Sequence, residues 1–124
     1  MFLSRKAGIK WTNRGNVSTA DYQKANFTVD SDYHLKDISA IVGKGRKLVS
    51  FLVSATTTMM DGQVILFNPD NTEHVNVSSV FVPAYVQACQ TLWVYTNANG
   101  EIGYCVTLDP VNTYLDITIN GWLD

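Results

Sequence analysis

Apolar and polar side chains alternate along most of the chain after residue 26, and turn-forming residues separate the alternating stretches. Side chains of a β-strand point to its two faces in turn, so this period of two predicts strands. The clearest case is 114–123, where the odd-numbered residues are predicted to share one face as far as Gly121 and Leu123, with Trp122 on the opposite face. The pattern predicts an all-β fold without helices.

Strand boundaries follow from the turn residues. Gly43-Lys44-Gly45, Asp61-Gly62 and the segment 68–71 are predicted turns, because glycine, proline and asparagine adopt turn geometry at low cost. Asn99-Gly100 predicts a two-residue hairpin. The predicted strands are 25–29, 33–42, 46–58, 63–67, 74–80, 84–96, 101–108 and 114–123.

About eight strands joined by short turns predict two packed antiparallel sheets, since a single sheet would leave an apolar face in water. We expect a jelly-roll sandwich, although the turns do not determine the strand order. With 124 residues, 46% of them hydrophobic, the chain forms a core large enough to be stable without disulfides or metals. No cofactor is expected.

Charge divides the chain into two predicted parts. Five cations and one aspartate give residues 1–24 a net charge of +4, whereas four cations and ten acids give residues 25–124 a net charge of −6. We therefore expect a basic N-terminal arm on a β-sandwich domain, with the two parts attracting those of another copy.

The arm has two interpretations: a solvated tail or a segment that binds a partner. Its large apolar residue, Trp11, favours binding, because disordered tails contain few such groups. The predicted partner-binding residues are Arg5, Lys6, Lys10, Trp11 and Arg14.

Several classes of function are disfavoured. The N-terminus lacks the apolar core of a secretory signal, which predicts synthesis and retention in a cytosol. No run approaches the twenty apolar residues of a membrane helix, so no membrane partner is expected. The acidic domain would repel a phosphate backbone, so nucleic acid is not an expected partner either.

The two cysteines are predicted to be unbridged. In the hairpin register set by Asn99-Gly100, Cys105 lies opposite Val94 and Cys89 points to the other face of the sheet. Two free and largely buried thiols are expected.

No catalytic or metal-binding motif is recognised. His34 and His74 lie far apart in sequence without ligand spacing, and Asp30-x-Asp32 is interpreted as a capped turn rather than as the start of a calcium loop. The glycines near Lys44 lack the spacing of a phosphate loop. The sequence predicts a protein that is not an enzyme.

Segments 34–42 and 47–53, separated by the Gly-Lys-Gly turn, resemble the start of small jelly-roll domains in bacteriophage virion proteins, and 117–122 is similar to their closing strand. The resemblance implies head fibres, fibre tips or capsid-decoration proteins, which share a fold with tumour-necrosis-factor-like trimers. It implies a virion location, a homotrimer, a capsid or other virion protein as partner, and no shared catalytic residues. The expected function is decoration of a capsid or fibre, anchored by the arm.

A second hypothesis is a carbohydrate-binding or receptor-binding module at a fibre tip. Its ligand-stacking residues would be Trp93, Tyr95, Tyr104 and Trp122, and its partner a surface glycan. Aromatic residues on strands more often fill a core or an interface, so this hypothesis ranks second.

Overall fold

The computed structural model describes residues 9–71, 77–109 and 112–124. They form two antiparallel sheets that pack face to face, which confirms the all-β sandwich. The strands are β1 (Trp11–Asn13), β2 (Tyr22–Gln23), β3 (His34–Asp37), β4 (Leu48–Thr56), β5 (Gly62–Phe67), β6 (Ser78–Val82), β7 (Ala88–Tyr95), β8 (Glu101–Thr107) and β9 (Tyr114–Leu123).

The strand order is that of a jelly roll. The five-stranded sheet has the order β1-β9-β4-β7, with β2 also paired to β9, and the four-stranded sheet has the order β3-β8-β5-β6. From β2 onward the chain crosses to the other sheet at every connection except β5 to β6. Consecutive strands thus face each other across the core, which is the arrangement of a double Greek-key sandwich.

The core consists of the inward-facing residues of both sheets. Val49, Phe51 and Val53 of β4 are fully buried against Val64 and Leu66 of β5 and their neighbours. Alternating burial along β4 and β5 is the physical origin of the sequence pattern, and both predicted strands are confirmed with slightly shorter or shifted ends.

The predicted strand 25–29 is wrong, and the predicted strand 33–42 is wrong in part. Residues 24–26 form a 3₁₀-helix where the strand 25–29 was expected. In the predicted strand 33–42, only β3 is extended, and Ser39–Val42 form the short helix α1. The Asp37 carboxylate accepts a hydrogen bond from the Ser39 backbone N–H at 2.8 Å and so favours the helical turn.

The predicted Asn99-Gly100 hairpin is also wrong. Strand β7 pairs with β4 and β8 pairs with β3 and β5, so the Asn-Gly turn leads from one sheet to the other. The register opposing Cys105 to Val94 therefore does not exist. Both cysteines are free, as predicted, but Cys89 is exposed on β7 while Cys105 is buried on β8.

Other turns agree with the sequence. The Asn71 N–H bonds the Asn68 carbonyl at 2.9 Å, which closes the predicted turn. The Asp32 N–H bonds the Asp30 carboxylate at 2.9 Å, as expected for a capped turn. Residues 72–76, including His74 and the first three residues of the predicted strand 74–80, lie outside the described residues, and Ser78–Val80 of that predicted strand belong to β6.

A β-bulge near the end of β9 reverses its alternation. Phe51 pairs with Ile119 and Ser50 pairs with Gly121, so Asn120 has no partner on β4. The extra residue turns Trp122 inward, where it packs against the core, and turns Gly121 outward. The predicted faces are right as far as Ile119 and wrong for the last three positions.

Candidate binding surface on the five-stranded sheet

The outer face of the five-stranded sheet carries three aromatic side chains in contact or in adjacent positions. Trp11 of β1 and Trp93 of β7 have ring centroids 5.7 Å apart, and Tyr95 follows Trp93 on the same face. The three are 41%, 48% and 53% exposed. We call Trp11, Trp93 and Tyr95 the aromatic strip.

Small residues at the sheet centre let the strip cross two intervening strands. Asn13, Gly121, Ser50 and Trp93 form one row across the sheet. A Cβ atom on Gly121 would lie 2.5 Å from the Trp11 ring and 2.3 Å from the Thr12 carbonyl oxygen. Glycine at this position therefore leaves room for the Trp11 ring against β9 and for its contact with Trp93.

Aliphatic groups extend the strip at one end. Trp11, Leu123, Leu48 and Tyr95 form the next row of the same face, and exposed Ile9 precedes it. A shallow cavity of about 190 Å³ opens here. Its lining residues are Ile9, Arg46, Leu48, Tyr95, Leu123 and Asp124.

The described part of the N-terminal segment joins this sheet at two places. Strands β1 and β2 pair with opposite ends of β9 and leave a gap at Ile119. Side chains fill the gap: Asp21 accepts the Ile119 N–H at 2.7 Å, Arg14 donates to the Ile119 carbonyl at 3.1 Å, and the two side chains form an ion pair at 2.5 Å. The pair takes the place of a missing stretch of strand.

The predicted arm residues therefore lie in different places in the structure. Arg5 and Lys6 lie outside the described residues. Lys10 is exposed, and its carbonyl accepts the Asp124 N–H at 3.0 Å. Trp11 belongs to the aromatic strip and Arg14 to the ion pair, so both contact their own domain. Docking of the arm on a partner stays a prediction.

The four predicted stacking residues also separate. Trp93 and Tyr95 lie side by side on the outer face. Tyr104 is 4% exposed, accepts the Thr28 N–H at 2.9 Å through its hydroxyl and packs against Phe27. Trp122 faces the core because of the bulge at Asn120. The sequence reasoning missed Trp11 as a neighbour of Trp93, since only strand pairing brings them together.

Several titratable groups outside the aromatic strip contact residues of their own strands and turns. The His34 ring bonds the Asp30 carboxylate at 2.8 Å, and this bond lowers the pKa of Asp30. Burial raises the pKa of Cys105, which Asp30 and Asp32 raise further. Within the ranges that the structure describes, no three His, Cys, Asp or Glu side chains come together in a way that could hold a metal.

No known family model matches the chain, and no curated protein is significantly similar to it. Among the described residues, no helix has the length and hydrophobicity that crossing a membrane requires.

Proposed function

We propose that the protein is a non-enzymatic structural module of a bacteriophage virion, which associates with its own copies and decorates a capsid or fibre. The observation that carries the association is the aromatic strip. Large, half-exposed aromatic side chains next to aliphatic ones mark protein interfaces, because their burial in a complex removes much apolar area from water. The virion assignment rests on the resemblance of 34–42, 47–53 and 117–122 to jelly-roll virion domains.

The proposed assembly is a homotrimer around a three-fold axis, as in the jelly-roll trimers that the sequence resembles. The outer faces of the five-stranded sheets turn toward the axis, so that Trp93 and Tyr95 of each copy are covered by a neighbour. Aromatic residues at the centre of an interface supply most of its binding energy, and polar groups at the rim add specificity.

Attachment to the virion is assigned to the start of the chain. Because Trp11 and Arg14 contact their own domain, the cations of the proposed contact are Arg5, Lys6 and Lys10, which would face an acidic surface of a capsid or fibre protein. Lys10 lies next to Ile9 at the end of the aromatic strip, so a partner bound there would contact cations and apolar groups together.

The face is tested with the double variant Trp93→Ser, Tyr95→Ser. We expect the native protein to have the mass of three chains, or of a multiple of three, in light scattering, and the variant to lose that multiple. Tyr85→Ser is the control, because Tyr85 is an even more exposed aromatic residue and lies outside the strands. A variant that kept its trimers, or a native protein that was monomeric at high concentration, would contradict the proposal.

Attachment is tested separately by removing residues 1–8, which leaves β1 in place. We expect the shortened protein to keep its oligomeric mass and to lose binding to purified particles, with electron microscopy of the native particle locating the full-length protein. Undiminished binding of the shortened protein would reject the role of Arg5 and Lys6.

Carbohydrate binding is the second candidate, favoured by the spacing of Trp93 and Tyr95. Two outward residues separated by one position on a strand lie about 7 Å apart, which suits stacking on neighbouring rings of a glycan. A glycan array decides between the two: binding that the double Trp93→Ser, Tyr95→Ser variant loses supports a receptor-binding module, and trimers that bind particles but no glycan support decoration.

A further inference from the structure

Strand β7 is a sheet edge whose outward backbone groups can be assigned. The Thr96 N–H bonds the Lys47 carbonyl at 2.9 Å, which shows that residue 96 points its backbone groups at β4. The direction alternates along an antiparallel strand, so Cys89, Thr91, Trp93 and Tyr95 point theirs away from β4. Among the described residues, the one bond from outside the sheet to this edge is from the Ser78 hydroxyl to the Trp93 carbonyl.

Edges on the other side of the sandwich have the features that prevent strand addition. Strands β1 and β2 are only three and two residues long, and the Arg14–Asp21 pair closes the gap between them. Strand β3 has four residues, including Lys36 and Asp37. Short strands and charged side chains are the usual protection of an exposed edge.

Strand β7 has none of these features. Its eight residues, Ala88–Tyr95, include no charged residue, proline or glycine. An edge of this length without charged residues is available for pairing with a further strand. We infer that β7 pairs antiparallel with β7 of a second copy, which joins the two five-stranded sheets into one continuous sheet.

The absence of charge argues for a second copy as the partner. A two-fold axis through the middle of an edge places the residue on the axis opposite its own copy and pairs the residues on either side of it with one another, so charges of one sign on this strand would face each other. With the axis at Thr91, Thr91 faces Thr91 of the second copy, and Cys89 faces Trp93. The exposed aromatic residues of the two copies then lie on one continuous surface.

This contact goes beyond the proposed three-fold association, since it uses the strand edge rather than the face and joins copies in pairs. With the two-fold axis crossing the three-fold axis at a right angle, the two contacts together make a hexamer. Loss of the edge contact should therefore leave trimers, and loss of the face contact should leave dimers.

Thr91→Pro tests the edge. The Thr91 N–H points away from β4, so proline removes no bond within the sheet, whereas the two-fold pair loses both central N–H donors. We expect hexamers of the native protein to become trimers in Thr91→Pro and to persist in Thr91→Val, which keeps the N–H. Thr91→Lys, with two like charges at the axis, gives the same loss if proline prevents folding.

The face variant separates the two proposals. Trp93→Ser with Tyr95→Ser should give dimers, which the further change Thr91→Lys turns into monomers. Dimers that survive Thr91→Lys, or a Thr91→Pro protein with unchanged mass, would overturn the β7 pairing and leave the three-fold proposal intact. A native protein that formed only β7-dependent dimers would reject the three-fold proposal alone.

A covalent test fixes the register. In the Cys89→Ser background, Thr91→Cys places two thiols at the axis with Cα atoms about 5.5 Å apart, within the range of a disulfide. Mild oxidation should give a covalent dimer on a non-reducing gel, and Cys89→Ser without the new cysteine should give none. Absence of the crosslink in a folded protein contradicts pairing centred on Thr91.

Discussion

Replacing Asp21 by alanine removes the carboxylate that completes the edge of β9. The Asp21 side chain is 9% exposed and accepts from Arg14 and from the Ile119 N–H. Its loss leaves the part-buried Ile119 N–H without its acceptor and removes the charged partner of the Arg14 guanidinium, which keeps its bond to the Ile119 carbonyl. Each hydrogen bond to a charged group contributes about 1.5–3 kcal/mol, and the effects of one network do not add fully. We therefore expect Asp21→Ala to lower the free energy of unfolding by about 2.5 kcal/mol.

The measurement is urea unfolding with thermal unfolding as a second probe. We expect the midpoint to fall at an unchanged m-value, and the melting temperature to fall by about 10 °C, taking about 4 °C per kcal/mol for a domain of this size. Asp21→Asn keeps an acceptor for the Ile119 N–H, so it should lower the free energy of unfolding by only about 1 kcal/mol, less than half of the loss expected for Asp21→Ala.

A double-mutant cycle with Arg14→Met isolates the ion pair. Because Arg14 and Asp21 contact each other and the same residue of β9, the double variant should be more stable than the sum of the single losses predicts, by about 1 kcal/mol. Stability of Asp21→Ala within about 0.5 kcal/mol of the native protein, the range of ordinary surface changes, would refute the assignment of this segment to its own sheet.

Three further outcomes are expected. Gly121→Ala should destabilise the fold by about 1–3 kcal/mol in urea unfolding and change the near-ultraviolet tryptophan spectrum, because the new methyl group collides with β1. Iodoacetamide should label Cys89 rapidly in the native protein and Cys105 only after unfolding, since burial protects that thiol and raises its pKa; equal rates contradict this. Hydrogen bonds from Ser39 lower the pKa of Asp37, so the carboxylate stabilises the fold above its unfolded pKa, near 4, and this contribution disappears as the pH falls through the lower folded value. Asp37→Ala should therefore be less stable than the native protein at neutral pH and approach it at the acid end of a pH series of urea titrations.

The architecture was predictable because burial imposes a period of two. Phe51, Leu66 and Ile117 repeat that period on strands whose inner faces meet, so local pattern and tertiary packing agree. Asn99-Gly100 shows the limit: the dipeptide specifies a turn, but whether the next strand joins the same sheet depends on which edges the other strands leave open. The bulge at Asn120 is a similar case, since the side chain gives no local signal and the register with β4 decides it.

The candidate surface was predictable only in part for the same reason. Trp93 and Tyr95 lie two positions apart in the sequence, so their shared face follows from the strand alone. Trp11 is 82 residues away from Trp93, and two paired strands separate them in the sheet. Their contact therefore depends on the full strand order, which the turns left open.

The position of the cations changes how the proposed association should respond to salt. Arg14 is paired with Asp21, Lys24 donates to the Thr113 hydroxyl, and the described segment leaves Lys10 exposed at the sheet end. Apolar area at Trp93 and Tyr95 is then the main source of self-association, and apolar burial is not screened by ions. The trimer should consequently persist when sodium chloride is raised, whereas attachment to particles through Arg5, Lys6 and Lys10 should weaken. Light scattering and particle sedimentation over one salt series measure both, and a trimer that dissociates with rising salt would place the association on charges rather than on the aromatic strip.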